Sequence, residues 1–342
     1  MTQKEGRSRS VRTAIALTAL MPAVALMPAA PSFAAENPCS STLSPSEIKS
    51  VGISCRLTSD TVVRVAEGLE VAVPEPGMIA SVQLLRAHGS TGPSAASVYR
   101  AADGQIALKV DEKPALGSAA TTGVLKSILA KRPDPAAKRH AEPAGAKQTQ
   151  TSALAAVPSY CGSSYEYNFS GGVWYQSVFP WTYNSLSQPA SDSLQAIQYG
   201  FKFITDTSSA CGTYYTFASA DYRGSTTRYT WGTRDNGNVV GWAGFDTNIL
   251  ARTYSWVDGA GLRVEVDIAF NNRITNWFTG LSGTVPAGRF DLISVATHEA
   301  GHGFGLAHYT GSSYPVMAPT LGTGVNKRVK RSGDLTGMGT LY

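Results

Sequence analysis

The stretch 298-HEAGHGFGLAH-308 is the most informative part of this 342-residue chain, because three of its five histidines lie there. His298 and His302 are four residues apart, a spacing that places two side chains on the same face of an α-helix. Two neutral imidazole nitrogens on one face are a natural pair of ligands for a divalent ion, above all Zn²⁺. Gly305 allows the sharp turn that ends the helix, and His308 can then fold back as a third ligand.

Glu299 directly follows the first histidine, so it is predicted to reach a water molecule at the metal without binding the metal itself. Three protein ligands leave one position open, as in catalytic zinc sites, whereas a structural site is closed by a fourth ligand. Zinc lowers the pKa of such a water to about 7, and Glu299 is predicted to act as its general base. The pattern HExxHxxGxxH fixes five positions. An ordinary helix with solvated or core histidines is therefore the weaker interpretation.

The same residues resemble the zinc signature of the metzincin metallopeptidases. Met317, in the stretch SYPVMAPT, lies where those enzymes have the methionine of the Met-turn. The run FDLISVATHEAGHGFGLAH and the closing SGDLTGMGTLY narrow the resemblance to the matrixins, especially to secreted bacterial members. The resemblance covers residues 158–342. It implies an α+β metzincin catalytic domain with a twisted mixed sheet and an active-site helix, which hydrolyses peptide bonds in protein or peptide substrates.

The periodicity of the C-terminal half predicts elements in an order compatible with that fold. Helices are predicted over 191–204, over 291–304 (the zinc helix) and over 334–342. Strands are predicted at GNVVGWAGF, ILARTYSW and GLRVEVDIAF. By resemblance, ILARTYSW corresponds to the antiparallel edge strand above the matrixin cleft, where a substrate backbone could add as a further strand.

Residues 1–34 have the features of an export signal, with a positively charged start, an apolar run and small residues before a cleavage position after Ala34. The alternative is a membrane anchor. Three prolines interrupt the apolar run, which is also short for a full span. We therefore expect a secreted, extracellular protein with no membrane attachment once the signal is removed.

The chain contains four cysteines, and an even number in an exported protein predicts two disulfides with three possible connectivities. The simplest pairs are Cys39–Cys55 and Cys161–Cys211, because each then stays within one part of the chain. The alternative is a latch in which an N-terminal cysteine binds the zinc, as matrixins often have. The PRCGxPD surroundings of that latch are absent around both Cys39 and Cys55.

Residues 35–157 are predicted to be a small, independent, β-rich propeptide domain followed by an exposed linker, which makes the protein a zymogen. Composition changes abruptly after this part, because all six tryptophans and every tyrosine but Tyr99 come later. The stretch from Lys131 onward is rich in Ala, Pro, Lys and Gln, so it is predicted to be an exposed linker open to proteolysis. The alternative is a retained accessory domain.

Charge is distributed unevenly along the chain. Residues 1–157 contain 17 Lys and Arg against 12 Asp and Glu, whereas residues 158–342 contain 12 against 12. The C-terminal half therefore has no basic footprint for nucleic acid. Arg328, Lys330 and Arg331 are predicted to form a solvated basic patch on a loop. A monomer is expected.

This sequence departs from the matrixin pattern at one point. Animal matrixins carry a second, structural zinc bound by histidines and an aspartate, but the C-terminal half has no histidine outside residues 298–308. Its stabilising role could pass to a disulfide, to packing or to Ca²⁺. Candidate oxygen ligands for Ca²⁺ are Asp235, Asn236, Asn238 and Asp246, although turn chemistry explains Asp235-Asn236-Gly237 equally well.

Two functions other than a zinc endopeptidase are also compatible with the motif. A non-catalytic, zinc-stabilised extracellular binding module would need neither Glu299 nor an open metal position. A zinc hydrolase of a non-peptide bond would need both, and the sequence does not separate it from a peptidase.

Overall fold

The computed structural model describes residues 37–51, 55–58, 60–111, 116–130 and 159–342. The predicted export signal, its cleavage position and nearly all of the predicted linker lie outside these residues. Within them, no helix has the length and apolar character needed to cross a membrane. We refer to the described residues up to 130 as the N-terminal segment and to residues 159–342 as the C-terminal segment.

The N-terminal segment is mostly β-structure and ends in one helix, α1 (Ala119–Ala130). Alternation of buried and less buried residues, as in LEVA, is typical of half-buried strands. Its strands are β1 (Thr42–Leu43), β2 (Val62–Ala66), β3 (Leu69–Ala72), β4 (Ile79–Ala87), β5 (Ala95–Arg100), β6 (Ile106–Val110) and β7 (Leu116–Gly117).

The C-terminal segment contains three helices and a larger number of strands. The helices are α2 (Ser193–Thr205), α3 (Leu292–Phe304) and α4 (Ser332–Leu341), close to the predicted bounds. The long strands include the three predicted from the sequence. In chain order the strands are β8 (Asn168–Phe169), β9 (Val178–Tyr183), β10 (Ser208–Ser209), β11 (Gly212–Thr213), β12 (Ser219–Ser225), β13 (Val239–Ala243), β14 (Ile249–Val257), β15 (Arg263–Asn271), β16 (Trp277–Phe278), β17 (Phe290–Asp291), β18 (Leu306–Ala307) and β19 (Thr320–Leu321).

One mixed sheet of ten strands runs through both segments. Its order is β12-β9-β13-β15-β14-β4-β5-β6-β7, and β19 also pairs with β4. The first four strands are parallel to one another, and β14 is antiparallel to β15. This mixed α+β architecture agrees with the predicted fold class. The sequence did not predict that the N-terminal segment would continue the sheet of the C-terminal segment.

The two faces of the sheet pack against different partners. On one face, Phe179, Trp242 and Phe270 pack with helices α2 and α3 in an apolar core. On the other face, Tyr254 and Trp256 of β14 share a second core with the small sheet β1-β2-β3. Each large apolar side chain buried in these cores contributes on the order of 1.5–3 kcal/mol. The N-terminal segment therefore covers apolar surface of the C-terminal segment, and the two are not independent in the described structure.

Both predicted disulfides are present, Cys39–Cys55 in the N-terminal segment and Cys161–Cys211 in the C-terminal segment. No cysteine of the chain is free, since these two bonds use all four. The alternative of a cysteine latch on the metal is therefore wrong for this structure.

The predicted solvated basic patch is wrong for two of its three residues. Arg328 is buried and forms an ion pair with Asp291, with 2.7 Å between Nη2 and Oδ1. Lys330 is only 1% exposed, and its ammonium donates to the carbonyl oxygens of Ile204 and Asp206 after the last turn of α2. Its cation therefore satisfies carbonyls that a helix leaves unpaired at its C-terminus.

Candidate metal centre

Helix α3 begins and ends at residues whose local chemistry fixes its bounds. The Asp291 side chain caps the start by accepting a hydrogen bond from the Ser294 backbone N–H at 3.1 Å. The end is Gly305, which has φ of 111°, in the left-handed region. A side chain there would also lie 2.8 Å from the carbonyl oxygen of Gly172. The turn predicted from Gly305 is present, and it brings His308 back toward the helix.

The three histidines of the signature converge on one point. The Nε2 atoms are 2.9 Å apart for His298 and His302, and 3.1 Å apart for each of these with His308. A tetrahedral Zn²⁺ with Zn–N bonds of about 2.0–2.1 Å places its nitrogen ligands about 3.3 Å from one another. The three imidazoles therefore fit one zinc ion. Within the described part of the chain, they form the one cluster of three or more His, Cys, Asp or Glu suited to a metal.

The opposite nitrogen of each imidazole has its own partner. His298 Nδ1 lies 2.8 Å from the Val316 carbonyl oxygen, and His302 Nδ1 lies 2.9 Å from that of Leu306. A carbonyl accepts only, so both Nδ1 atoms carry the proton and both Nε2 lone pairs point to the shared centre. Burial lowers the pKa of His298 to about 3 and holds that of His302 well below its usual value. Both rings are therefore neutral, as metal ligands must be.

Glu299 is fully buried on the same helix. Its Oε2 accepts a hydrogen bond of 2.6 Å from the Thr253 hydroxyl on β14, while its Oε1 has no hydrogen-bond partner. Burial raises the pKa of this carboxyl to about 8, against the effects of the Thr253 hydroxyl and of the Leu85 backbone. An unpartnered carboxylate oxygen in a buried site is costly, so Oε1 is suited to a small hydrogen-bonding ligand such as water.

Met317 packs against α3 at Gly301, which directly precedes His302. It is buried, and a side chain at Gly301 would lie 2.4 Å from its sulfur, so glycine is what lets the thioether approach the helix. Asp334 of α4 holds this loop by accepting the backbone N–H of Val316 at 2.8 Å and that of Met317 at 3.3 Å. Sequence reasoning assigned Asp334 only to the closing helix. Its partners are backbone groups, which carry no signal in the sequence.

Two contacts with the centre come from the N-terminal segment. The Ser94 hydroxyl lies 3.1 Å from His308 Nδ1, so it completes the set of partners on the outer side of the three rings. The Arg86 guanidinium adds to burial in lowering the pKa of His308. Sequence reasoning missed both residues, because no motif links residues 86–94 to a metal site more than 200 positions away.

Two of the four residues proposed for Ca²⁺, Asp235 and Asn238, use their side-chain oxygens in hydrogen bonds. Asp235 accepts the Gly237 backbone N–H at 2.9 Å and the Thr230 hydroxyl at 2.6 Å. The Asn238 side-chain oxygen accepts the Val266 backbone N–H at 2.8 Å. These contacts favour turn chemistry at this loop, and calcium stays a prediction that the geometry does not support.

Comparison with known protein families gives a match over the C-terminal segment. Residues 175–342 match a family model whose description is Matrixin. The matched range contains helices α2, α3 and α4, the three converging histidines and Met317. A search of curated proteins found no match to the chain.

Proposed function

Residues 175–342 belong to the matrixins, a family of zinc metalloendopeptidases, and from this we propose that the chain is a secreted endopeptidase made as a precursor. His298, His302 and His308 are the proposed zinc ligands, and Glu299 is the proposed general base. The observation that carries the proposal is the convergence of three neutral Nε2 atoms beside a buried carboxylate with one unpartnered oxygen. The substrate class is protein or peptide.

Zinc bound to the three imidazoles would lower the pKa of a water molecule and polarise the carbonyl of the bond to be cut. The positive charge of the ion would favour the ionised form of Glu299. The carboxylate then accepts a proton from that water at Oε1 and later returns it to the nitrogen of the leaving amine. The Thr253 hydroxyl keeps Oε2 occupied, so the carboxylate presents Oε1 in one orientation. The carbonyls of Val316 and Leu306 fix the rings of His298 and His302 and raise the basicity of their Nε2 atoms.

The proposed extracellular location is supported by the two disulfides, since such bonds persist in oxidising compartments. The proposed export signal at residues 1–34 points the same way. The proposed domains are this signal, a propeptide with its linker at residues 35–157, and a peptidase domain at residues 158–342. We propose a monomer that binds neither nucleic acid nor, after signal removal, a membrane.

The rival functions differ in what they require of Glu299. A zinc-stabilised binding module has no use for a buried carboxylate whose Oε1 lacks a partner. In the described residues, no fourth Cys, His, Asp or Glu joins the three histidines to close the metal site. A zinc hydrolase of another bond type would share this geometry. Assays of small esters beside peptide libraries separate it from a peptidase.

The decisive experiment compares the secreted wild type with Glu299→Ala and His302→Ala. We expect one zinc per chain in wild type and in Glu299→Ala. Casein cleavage by Glu299→Ala should fall by at least ~100-fold, because general-base catalysis contributes about 10²–10⁴-fold. His302→Ala should lose the zinc. Asp221→Ala, which breaks only an exposed ion pair with Arg223, is the matched control and should behave as wild type.

Equal activity of wild type and Glu299→Ala would contradict the proposed role of Glu299 as general base. The N-terminus of each product adds a second readout: a precursor that stays uncut in Glu299→Ala but is cut in wild type identifies self-processing.

A further inference from the structure

Strand β4 occupies the gap between β14 and the loop that follows Met317. It is antiparallel to β14 along that strand's full length and parallel to β19. The Arg86 N–H donates to the Pro319 carbonyl oxygen at 3.1 Å, and the His88 N–H donates to that of Leu321 at 3.0 Å. The backbone groups on both sides of this gap are thus paired with the N-terminal segment, as they would be with an added peptide strand.

Leu85 is the side chain that β4 directs toward the metal helix. It is 2% exposed and packs in the apolar core of α2 and α3, in the same cluster as Met317 and Leu321. Its neighbour Leu84 lies in the other core, on the opposite face of the sheet, as the alternation of a strand requires. Leu85 is therefore an aliphatic side chain that packs in the core beneath the strand.

Strand β4 also passes beside the residue that holds the proposed general base. Gln83 pairs with Thr253 of β14, whose hydroxyl donates to Glu299, and Leu85 pairs with Ala251 on the same face of the strand. The strand therefore runs past the catalytic helix where a substrate backbone added to β14 would run.

We propose that β4 occupies the path that an extended substrate would take along β14. The strand thereby keeps the full-length chain latent, without a cysteine thiol bound to the metal. Backbone pairing with β14 and β19 holds the strand in place, and Leu85 anchors it. The proposal rests on the proposed function and deepens it.

The turn that follows β4 gives the strand a second anchor beside the histidines. The Asp111 Oδ1 atom accepts the backbone N–H groups of Ser94 and Ala95 at 2.9 and 2.8 Å. These bonds hold the Ser94 hydroxyl against His308. Strand β4 is therefore held by polar contacts and by the aliphatic side chain of Leu85. No thiol takes part, because all four cysteines form disulfides.

The first test measures binding and needs no catalysis. Full-length, zinc-loaded chains carrying Glu299→Ala are mixed with a fluorescent peptide of the sequence of residues 79–88, and its anisotropy is followed. We expect no binding to the parent and at least tenfold tighter binding once Leu85→Asp or the milder Leu85→Ala releases the strand. Leu85→Met keeps an aliphatic anchor of similar size and should stay closed. Leu84→Ala removes similar volume from the other core and is the matched control, expected to stay closed.

The second test uses the same variants with Glu299 intact. Uncut Leu85→Asp should hydrolyse an external peptide at least tenfold faster than the uncut wild type. If the parent binds the peptide as tightly as the Leu85 variants, or if folded Leu85→Asp and Leu85→Ala both stay closed, the proposal is overturned. Binding released by Leu85→Asp without any peptidase activity would instead leave the occupied path standing and overturn the proposed function.

Discussion

Asp334 shows at the scale of one residue how burial and hydrogen bonding oppose each other beneath the metal centre. Its carboxylate accepts three backbone N–H groups, those of Val316, Met317 and Arg331. These bonds favour the charged form, but burial outweighs them and raises the pKa of Asp334 to about 6. A group that links α4 to the loop beneath the histidines thus titrates within a range where stability can be measured.

We expect the stability difference between wild type and Asp334→Asn to depend on pH. Between pH 3.8, the ordinary value, and about 6, the folded chain binds a proton at Asp334 that the unfolded chain does not. Stability from this group is therefore full below that window and lost as pH rises through it. About two pKa units at 1.36 kcal/mol each limit the loss to about 3 kcal/mol.

Chemical denaturation of both proteins at pH 4 and pH 7 checks this prediction. Asn does not titrate, so the free energy of unfolding of wild type relative to Asp334→Asn should be lower at pH 7. A difference that is constant, or that grows with pH, would contradict the assignment.

At this scale, the sequence could predict contacts among residues that belong to a motif of fixed spacing. HExxHxxGxxH predicted that His298, His302 and His308 would share one point, and the structure brings them together. The partners of these rings are backbone carbonyls and the Ser94 hydroxyl. Every residue has a backbone carbonyl and no motif links Ser94 to the histidines, so residue types did not predict these contacts. Lys330 was predicted to be solvated for the same reason, since its acceptors are backbone oxygens at the end of α2.

At the scale of elements, the contact between α2 and α3 depends on a residue without a side chain. A Cβ at Gly200 would lie 2.4 Å from the Ala296 Cβ and 2.8 Å from the backbone of Thr297. Neither neighbour is a flexible side chain, so the two helices would have to separate. Ala296 and Thr297 directly precede His298, which makes this contact part of the support of the metal centre.

Gly200→Ala should therefore destabilise the chain by about 1–3 kcal/mol, the usual cost of overpacking a core. Gly123→Ala in α1 is the matched control, because a Cβ there meets nothing within 4 Å. Alanine is the better helix former by about 1 kcal/mol, so the control should be neutral or stabilising. Thermal unfolding of both variants measures the difference, and equal melting temperatures would show that α2 and α3 can move apart freely.

Long periodic elements were predictable, whereas the two-residue strands were not. The apolar face of 191–204 and the alternation in 261–270 correspond to α2 and β15. Strands such as β18 and β19 consist of two residues whose pairing depends on chain that is distant in sequence. Periodicity over two residues carries no information, so such elements are visible only in the folded molecule.

At the scale of the whole molecule, the described N- and C-terminal segments share one sheet and both main cores. The change in composition after residue 157 predicted separate domains, and it reports a real difference in aromatic content. It carries no information about which strands pair across it, because β-pairing depends on complementary edges and faces rather than on composition. The pairing of β14 with β4, which joins the two segments, could therefore not be predicted from the sequence.

This shared construction predicts how the chain behaves after a cut within residues 131–158, the region predicted to be an exposed linker. Tyr254 and Trp256 of the C-terminal segment are buried against the N-terminal segment. Separation of the fragments would expose these aromatic rings and unpair the full length of β14 from β4. We therefore expect a nicked chain to remain one particle, although no disulfide joins the fragments.

Size-exclusion chromatography of the nicked chain provides the measurement. The two fragments should co-elute at the position of the uncut chain and separate only in denaturant. Trp256→Ala should weaken the association, because truncation of a buried tryptophan costs about 3–5 kcal/mol. Tyr165→Ala, at a ring that is 83% exposed, is the control and should leave co-elution unchanged. Fragments that separate without denaturant would mean that the shared core does not hold the segments together. Co-elution would instead mean that a cut in the linker is not enough for activation, and that the N-terminal segment must be displaced or degraded before substrate reaches the metal.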